Sequence, residues 1–167
     1  MNAKILLNTY RNWIADLIFM AKSSHDKEIV IKDLKQYQIQ YNDCAYDTDK
    51  SAISVLNYIL ACDLAYRSVF EYRIKNKVAK ALFKFFWKPL NTIEIACHGP
   101  EKSIAGGLWI SHNYCVLHVW SAGENLRVGP GVTVGMKNKG EEIINPVIGD
   151  NVYIATNATV IGGITIG

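Results

Sequence analysis

Aliphatic residues recur every six positions in the last third of the chain, and this recurrence constrains the fold more than any other feature. Its members are Ile104, Ile110, Val116, Ala122, Val128 and Val134, and then, after an interruption, Ile148, Ile154, Val160 and Ile166. A helix repeats every 3.6 residues and an ordinary strand every two. A period of six is typical of a parallel β-helix, in which side chains stack in layers inside a prism. We therefore predict such a prism, with every member of the repeat pointing inward.

Glycine directly follows five of these aliphatic residues, at Gly123, Gly129, Gly135, Gly149 and Gly167. A glycine can adopt positive φ, which a tight corner between two flat faces requires. The glycines therefore predict where the prism turns.

The composition excludes several classes of protein. The chain has 167 residues, half of them hydrophobic, and a formal net charge of +3, which is too small to indicate nucleic-acid binding by itself. The four cysteines lack the CxxC spacing of a zinc site, so we expect reduced thiols and no metal. The N-terminus has no signal-peptide pattern and no span of 18 apolar residues. We expect a cytoplasmic protein.

Residues 1–91 have helical periodicity and contain no glycine. We predict helices up to about residue 23, over 28–41, over 51–75 with capping residues at Asp47–Asp49, and over 78–87, ending before Pro89. Beyond residue 92 glycine, valine and isoleucine dominate. The predicted fold is α+β, with an α-helical N-terminal domain over 1–91 and a left-handed parallel β-helix over 92–167.

Residues 73–88 carry six basic side chains and no acidic one, together with four aromatic residues. A basic amphipathic helix can lie on an anionic membrane surface. The alternative, which the sequence favours, is a helix that packs on neighbouring subunits and leaves its basic face in solvent.

The repeat is interrupted between Val134 and Ile148 by a polar stretch, Met136–Glu142. A loop that leaves a solenoid at one point is a common place for a binding element. A tolerated insertion without a role is the alternative.

Four segments resemble the serine acetyltransferase branch of the hexapeptide-repeat acyltransferases. Residues 104–112, IAGGLWISH, resemble the catalytic segment of that branch. Residues 131–135, GVTVG, and 146–154, PVIGDNVYI, are similar to two of its later coils. Residues 66–74, YRSVFEYRI, are similar to the helix that precedes its repeat. The resemblance covers roughly residues 31 to 167 in the same order.

The resemblance implies a homotrimer that transfers acetyl directly from acetyl-CoA to a hydroxyl, with coils of about 18 residues. It implies His112 as the general base, since an imidazole can take the hydroxyl proton during attack. It also implies an oxyanion site built from a backbone N–H, of unspecified position. The residues expected to bind the cofactor are Gly135, Ala155, Thr156 and Ala158. Those expected to contact the acceptor are Trp109, Ser111 and Asn145.

The sequence departs from the pattern of this branch at its acidic and histidine positions. The acid that supports the catalytic histidine corresponds to Cys97, and Glu101 is the candidate replacement. Ser111 stands where the branch has a carboxylate, and Asn145 stands where it has a second histidine. Thr156 is larger than the small residues along which the coenzyme arm passes. The first three changes affect acceptor recognition or support of the base and leave the logic of acetyl transfer intact, whereas Thr156 affects the passage of the coenzyme arm.

Three functions are compatible with these residues. The first is a serine-type O-acetyltransferase, the second is the same chemistry on a sugar or polysaccharide hydroxyl, and the third is a non-catalytic trimer scaffold. The aromatic residues Trp109, Tyr114 and Trp120 line either an acceptor pocket or a subunit interface. We expect structural roles for His98 and His118. Because Gly167 begins a hexapeptide, we expect further coils beyond it.

Overall fold

The computed structural model describes residues 3–40, 51–100, 103–139 and 142–167. Its N-terminal part consists of five helices: α1 Ala3–Met20, α2 Ser24–Gln40, α3 Ala52–Cys62, α4 Leu64–Tyr72 and α5 Lys77–Trp87. The predicted helix over 51–75 is in fact two helices. Asp63 separates them, since its backbone N–H bonds Ile59 at the end of α3 and its carboxylate accepts the N–H of Tyr66 in α4. Ser51 caps α3, and the predicted caps at 47–49 lie outside the described residues.

Twelve short strands follow: β1 Ile93–Cys97, β2 Trp109–Ile110, β3 Cys115–Val119, β4 Ser121–Ala122, β5 Arg127–Val128, β6 Thr133–Gly135, β7 Lys137–Lys139, β8 Glu142–Ile144, β9 Val147–Ile148, β10 Tyr153–Ile154, β11 Thr159–Ile161 and β12 Thr165–Ile166. Three parallel sheets form the faces of the prism, in the orders β1-β3-β6-β11, β2-β5-β10 and β4-β9-β12. The predicted α+β fold, with helices followed by a left-handed parallel β-helix, is confirmed.

Strand pairing confirms the length of one coil. Ile110 pairs with Val128 and Ile148 pairs with Ile166, each 18 positions further along the chain. Parallel strands lie about 4.8 Å apart, so each coil adds that height to the prism. The paired aliphatic side chains therefore stack in columns inside it.

The prediction that Val116 points inward is wrong. In β3 the buried side chains are Cys115, Leu117 and Val119, whereas Val116 is only half-buried. Leu117 pairs with Val134 and occupies the interior position of this coil. The phase of the repeat shifts by one residue here, and a one-residue shift moves every side chain of a strand to the other face.

The stretch predicted as a polar loop is an antiparallel hairpin. Its strands β7 and β8 pair Lys137 with Ile144 and Lys139 with Glu142, and residues 140–141 between them lie outside the described residues. The hairpin lengthens one coil without disturbing the faces. Ala122 still pairs with Ile148, 26 positions later.

The helices and the prism share one continuous apolar core. Buried side chains of the helices, such as Phe70 and Trp87, belong to the same cluster as Leu108 and Val128 of the prism. The last helix ends at Trp87 and the first strand begins at Ile93. Division of the chain into two domains at residue 91 stays a prediction.

In the described part of the chain, no helix is both long enough and apolar enough to cross a membrane.

Candidate functional site

His112 lies at a corner of the prism, between β2 and β3. The corner is fixed by backbone hydrogen bonds on both sides: the Ser111 N–H donates to the Val128 carbonyl at 3.0 Å, and the Cys115 N–H donates to the Thr92 carbonyl at 3.0 Å. The His112 side chain itself is exposed. Rigid backbone on either side of an accessible imidazole is the arrangement that a positioned general base requires.

A cavity of about 510 Å³ lies between this corner and the junction of α3 and α4. Its size is suited to a small molecule. The prism contributes five lining residues and the helices contribute four: Ser111, His112, Asn113, Tyr114 and Pro130, with Cys62, Asp63, Leu64 and Ala65. The cavity therefore exists only because the helical part packs against the first coil.

The His112 ring makes no hydrogen bond to any residue that the structure describes. By contrast, His118 Nε2 lies 2.9 Å from a Glu94 carboxylate oxygen, and the His98 ring packs 5.4 Å from the His118 ring. These contacts fit the structural roles predicted for His98 and His118. The unengaged nitrogens of His112 are available to a bound molecule.

The thiol of Cys115 lies directly beneath this corner, yet it is unsuited to act as a nucleophile. Its Sγ is buried and donates to the Gly129 carbonyl at 3.3 Å. Burial raises the pKa of the Cys115 thiol. A protonated, enclosed thiol cannot attack a thioester, so this residue offers no covalent route beside the imidazole.

Asp63 is the residue of this cavity that sequence reasoning missed. The sequence showed it inside an unbroken helical pattern, whereas the structure places its nearly buried carboxylate in the cavity wall at the break between α3 and α4. Asp63 is the N-cap of α4 and accepts the Tyr66 N–H at 2.7 Å. Because aspartate is a preferred N-cap residue, its presence within the helical pattern could have indicated a break between two helices. Asp63 is the only described lining residue with an acidic side chain.

Side chains of α2 and α4 hold the segment that leads into His112. Asp33 accepts the backbone N–H groups of Gly107 and Leu108, each at 2.8 Å. The hydroxyl of Tyr37, one turn later on α2, donates to the Ile110 carbonyl at 3.0 Å and accepts the Ile110 N–H at 3.1 Å. The first coil has an open edge whose backbone groups need partners. These two side chains supply several of them.

Arg73, at the end of α4, completes this cap. Its guanidinium holds the Asp33 carboxylate through two bonds of 2.9 and 3.1 Å, and it also donates to the carbonyls of Ile104 and Ala105. Burial raises the pKa of the Asp33 carboxyl, and Arg73 and the two amides act in the opposite direction. The motif that resembles the family's upstream helix thus has a structural role: it fixes the chain before His112.

Tyr114 adopts a left-handed backbone conformation, with φ of +62°, and its side chain is 72% exposed at the cavity. The equivalent corners of the next coils carry Gly131 (φ +70°) and Asn157 (φ +59°), which tolerate this conformation better. A bulky residue with positive φ is strained, and such strain is common at functional sites.

Replacing Tyr114 with Gly should therefore raise the free energy of unfolding by about 1 kcal/mol, because the left-handed strain is relieved. Denaturant unfolding of both proteins measures this difference. The matched control is Tyr153→Gly, an exposed tyrosine of β10, which we expect to lower stability. Equal losses at both positions would show that the Tyr114 backbone is not strained.

Three of the four predicted cofactor-binding residues lie along the same corner as His112. The corners after β2, β5 and β10 are stacked, since the Gly129 N–H donates to the Ile154 carbonyl and the Asn157 N–H donates to the Pro130 carbonyl. Ala155 and Thr156 are exposed on this edge and Ala158 is half-buried. Gly135 lies apart from them, at the far end of β6 beside the hairpin.

Of the predicted acceptor residues, the cavity brings only Ser111 together with His112. The Ser111 hydroxyl donates to the Val128 carbonyl at 3.3 Å. Trp109 is not in the lining and packs against Tyr37 of α2, with ring centroids 6.5 Å apart. Asn145 is buried just before β9, at another corner, and its Oδ1 has no partner among the described residues.

Cys97, which stands where the family has the supporting acid, does not line this cavity. Cys97 lies in a separate cavity with Lys22 and Tyr72, and its thiol donates to the Trp120 carbonyl at 3.1 Å. Glu101 lies outside the described residues. Of the three aromatic residues near His112 in sequence, Tyr114 alone lines the cavity.

Comparison with known proteins links this architecture to one group of enzymes. The serine acetyltransferase of Bacillus subtilis (strain 168) is 30% identical over 132 residues, which are 75% of this chain and 60% of that protein. The serine acetyltransferase of Bacillus pumilus (strain SAFR-032) is 28% identical over 131 residues, with the same coverage. The chain thus spans 60% of the length of these relatives. No family model matches it.

A solved structure shows the same fold. Entamoeba histolytica serine acetyltransferase 1, in complex with L-cysteine, superposes with a TM-score of 0.52 at 18% identity, covering 98% of this chain and 75% of that one. The predicted resemblance to the serine acetyltransferase branch is confirmed by these relatives. At this identity the structural likeness bears on the fold alone.

Proposed function

We propose that this chain, which resembles the serine acetyltransferases, is an acetyl-CoA-dependent O-acetyltransferase that acts in the cytoplasm. The observation that supports the proposal most is the exposed His112 imidazole, unengaged by described residues, at the wall of a cavity of small-molecule size. The similarity to named serine acetyltransferases supports the reaction class.

In the proposed reaction His112 acts as the general base. The acceptor hydroxyl lies in the cavity and gives its proton to a neutral imidazole nitrogen while its oxygen attacks the thioester carbonyl carbon. The tetrahedral intermediate then collapses, and the carbon–sulfur bond breaks. The imidazolium returns the proton to the departing CoA sulfur, so that free thiol and an acetyl ester are formed. A backbone N–H of the coils is the proposed oxyanion donor.

The acetyl donor is proposed to lie along the corner that His112 shares with the later coils. Ala155 and Ala158 leave room beside the edge, and Thr156 narrows it. Thr156 lies one coil from the Gly129 corner, and that corner lies one coil from His112. Two coils correspond to a distance of about 10 Å between Thr156 and His112. This spacing suits an extended arm whose reactive end reaches the imidazole. In the proposed trimer a neighbouring prism closes the other side of this edge.

The acceptor is proposed to contact Asp63 as well as His112. A buried carboxylate in a cavity wall favours a ligand with a hydrogen-bond donor or a positive charge. The amino group of serine is one such ligand. Asp63 would then supply the carboxylate that the family has at the position of Ser111.

A sugar hydroxyl is the second candidate acceptor. The described residues of the cavity wall include no lysine or arginine, whereas a carboxylate such as that of serine needs a cation or several donors. Tyr114 offers an exposed aromatic face, which suits the apolar face of a sugar ring. Ser111 and Asn113 offer polar groups nearby.

The proposed function is tested by measuring free thiol from acetyl-CoA with separate acceptors, in protein expressed from its complete coding sequence. We expect release with either L-serine or a panel of neutral sugars. Thiol release with serine alone would exclude a sugar as the acceptor, and release with sugars alone would exclude serine. Binding of acetyl-CoA without transfer to any acceptor would favour a scaffold.

Asp63→Asn separates the two acceptors further. Asparagine caps a helix as well as aspartate does, so the stability of the protein should change little. If the acceptor has an amino group, loss of the charge should raise its KM about tenfold or more. For a neutral sugar the KM should change only a few fold. Thermal unfolding of the variant checks that the cap is preserved.

A further inference from the structure

Helix α5 presents a stripe of large apolar side chains to solvent. Val78, Leu82 and Phe85 are 69%, 48% and 74% exposed. They follow one another at spacings of four and three, so they lie on one side of the helix. The opposite side is anchored in the core by Phe83 and Trp87, both buried. The orientation of α5 is therefore fixed with its apolar stripe outward.

A second stripe, composed of lysines, runs beside the first. Lys77 and Lys84 are exposed and seven residues apart, which places them on one adjacent face of α5. Lys88, also exposed, caps the C-terminal end of the helix. Residues 73–88 contain no acidic side chain. Carboxylates outside this segment pair with three of its basic residues: Asp33 with Arg73 at 2.9 Å, Asp26 with Lys75 at 2.8 Å and Glu71 with Lys84 at 3.5 Å.

Helix α1, which packs against α5 through Arg11 and Trp87, has an exposed apolar stripe of its own. It consists of Tyr10, Trp13, Leu17 and Met20. Tryptophan and tyrosine are the residues that favour the boundary between water and lipid. Two neighbouring helices thus expose the same kind of surface.

We propose that α5 and α1 seat this protein on the surface of a membrane containing anionic lipids. Lysines beside large apolar side chains match such a surface: the apolar groups enter the headgroup region and the ammonium groups meet lipid phosphates. Nucleic acid would be matched by the lysines but not by Phe85, Val78 and Leu82.

Charge argues against a two-fold contact between copies of this chain as the occupant. A two-fold contact places the same patch on both partners. The lysine stripe of one copy would face that of the other, with no acidic residue in 73–88 to meet it. Anionic lipid headgroups supply this negative charge however the lysines are oriented on the membrane surface.

The test is sedimentation of the full protein with vesicles. We expect binding to vesicles of phosphatidylcholine mixed with phosphatidylglycerol, and not to vesicles of phosphatidylcholine alone, and we expect added salt to weaken it. The Lys77→Gln, Lys88→Gln double variant should bind about thirtyfold more weakly, and Phe85→Ser about tenfold or more. All three positions are exposed, so folding should be preserved.

The matched control is the Lys35→Gln, Lys137→Gln double variant, which removes the same charge from exposed positions of α2 and β7. It should bind within about threefold of the parent. Equal loss in both double variants, equal binding to the two vesicle types, or no binding would overturn the proposal. So would an assembly, measured by light scattering, that Phe85→Ser dissociates while vesicles are not bound. Transfer of acetyl to a soluble acceptor is not required for any of these results.

Discussion

Replacing His112 with Ala should lower the rate of acetyl transfer by about a hundredfold to ten-thousandfold, because a positioned general base contributes about that factor. The side chain is exposed and forms no hydrogen bond within the described chain, so the free energy of unfolding should change little. Affinity for acetyl-CoA, measured by calorimetry, should also be nearly unchanged, since the base acts on the acceptor hydroxyl.

His25→Ala is the matched control for this experiment. His25 is exposed on α2 and does not line the cavity, and its removal should leave the transfer rate within about twofold. A His112→Ala variant as active as His25→Ala would mean that another group takes the hydroxyl proton. Loss of activity together with loss of folding would be visible in the unfolding curve and would not count as support.

Replacing Asp33 with Asn should lower the free energy of unfolding by about 3–5 kcal/mol. The Asp33 and Arg73 side chains are 1% and 8% exposed, and breaking a buried ion pair leaves an uncompensated charge. An asparagine keeps Oδ1, which accepts the N–H groups of Gly107 and Leu108. Its NH2 group, however, replaces Oδ2, which accepts the Arg73 Nε–H, so this buried donor loses its acceptor. The damage falls on the segment that leads into His112, and activity should fall with it.

Asp26→Asn provides the comparison on the same helix. Asp26 pairs at 2.8 Å with Lys75, whose side chain is largely exposed, and an exposed pair contributes about 1 kcal/mol or less. In urea unfolding, Asp33→Asn should therefore lose several times more free energy of unfolding than Asp26→Asn. Equal losses would contradict the role of Asp33 as the cap of the first coil.

The phase of the repeat could be predicted from sequence except in β3. There Cys115, Val116, Leu117 and Val119 are all apolar, and only His118, on the same face as Val116, marks that face as outward. Pairing between β1 and β3, with Ile95 opposite Leu117, decides the face. The six-residue period alone does not predict this pairing between residues 22 positions apart.

The sequence pointed to His112, Ser111 and Tyr114, which line the cavity, but it did not point to the acidic residues around them. Asp63 comes from a helix junction, and Asp33 from a helix 74 positions before Gly107. Local patterns do not reveal which helix packs on the first coil. Arg73 was visible within the segment that resembles the family's upstream helix, but its contact with Asp33 required the fold.

The most direct test of the proposed chemistry is the balance of products with acetyl-CoA and a hydroxyl acceptor. We predict that the protein releases thiol only when the acceptor is present, and that mass spectrometry finds one acetyl ester on the acceptor for each thiol. Release that does not depend on an acceptor, or thiol without a matching ester, would contradict direct transfer to a hydroxyl at His112.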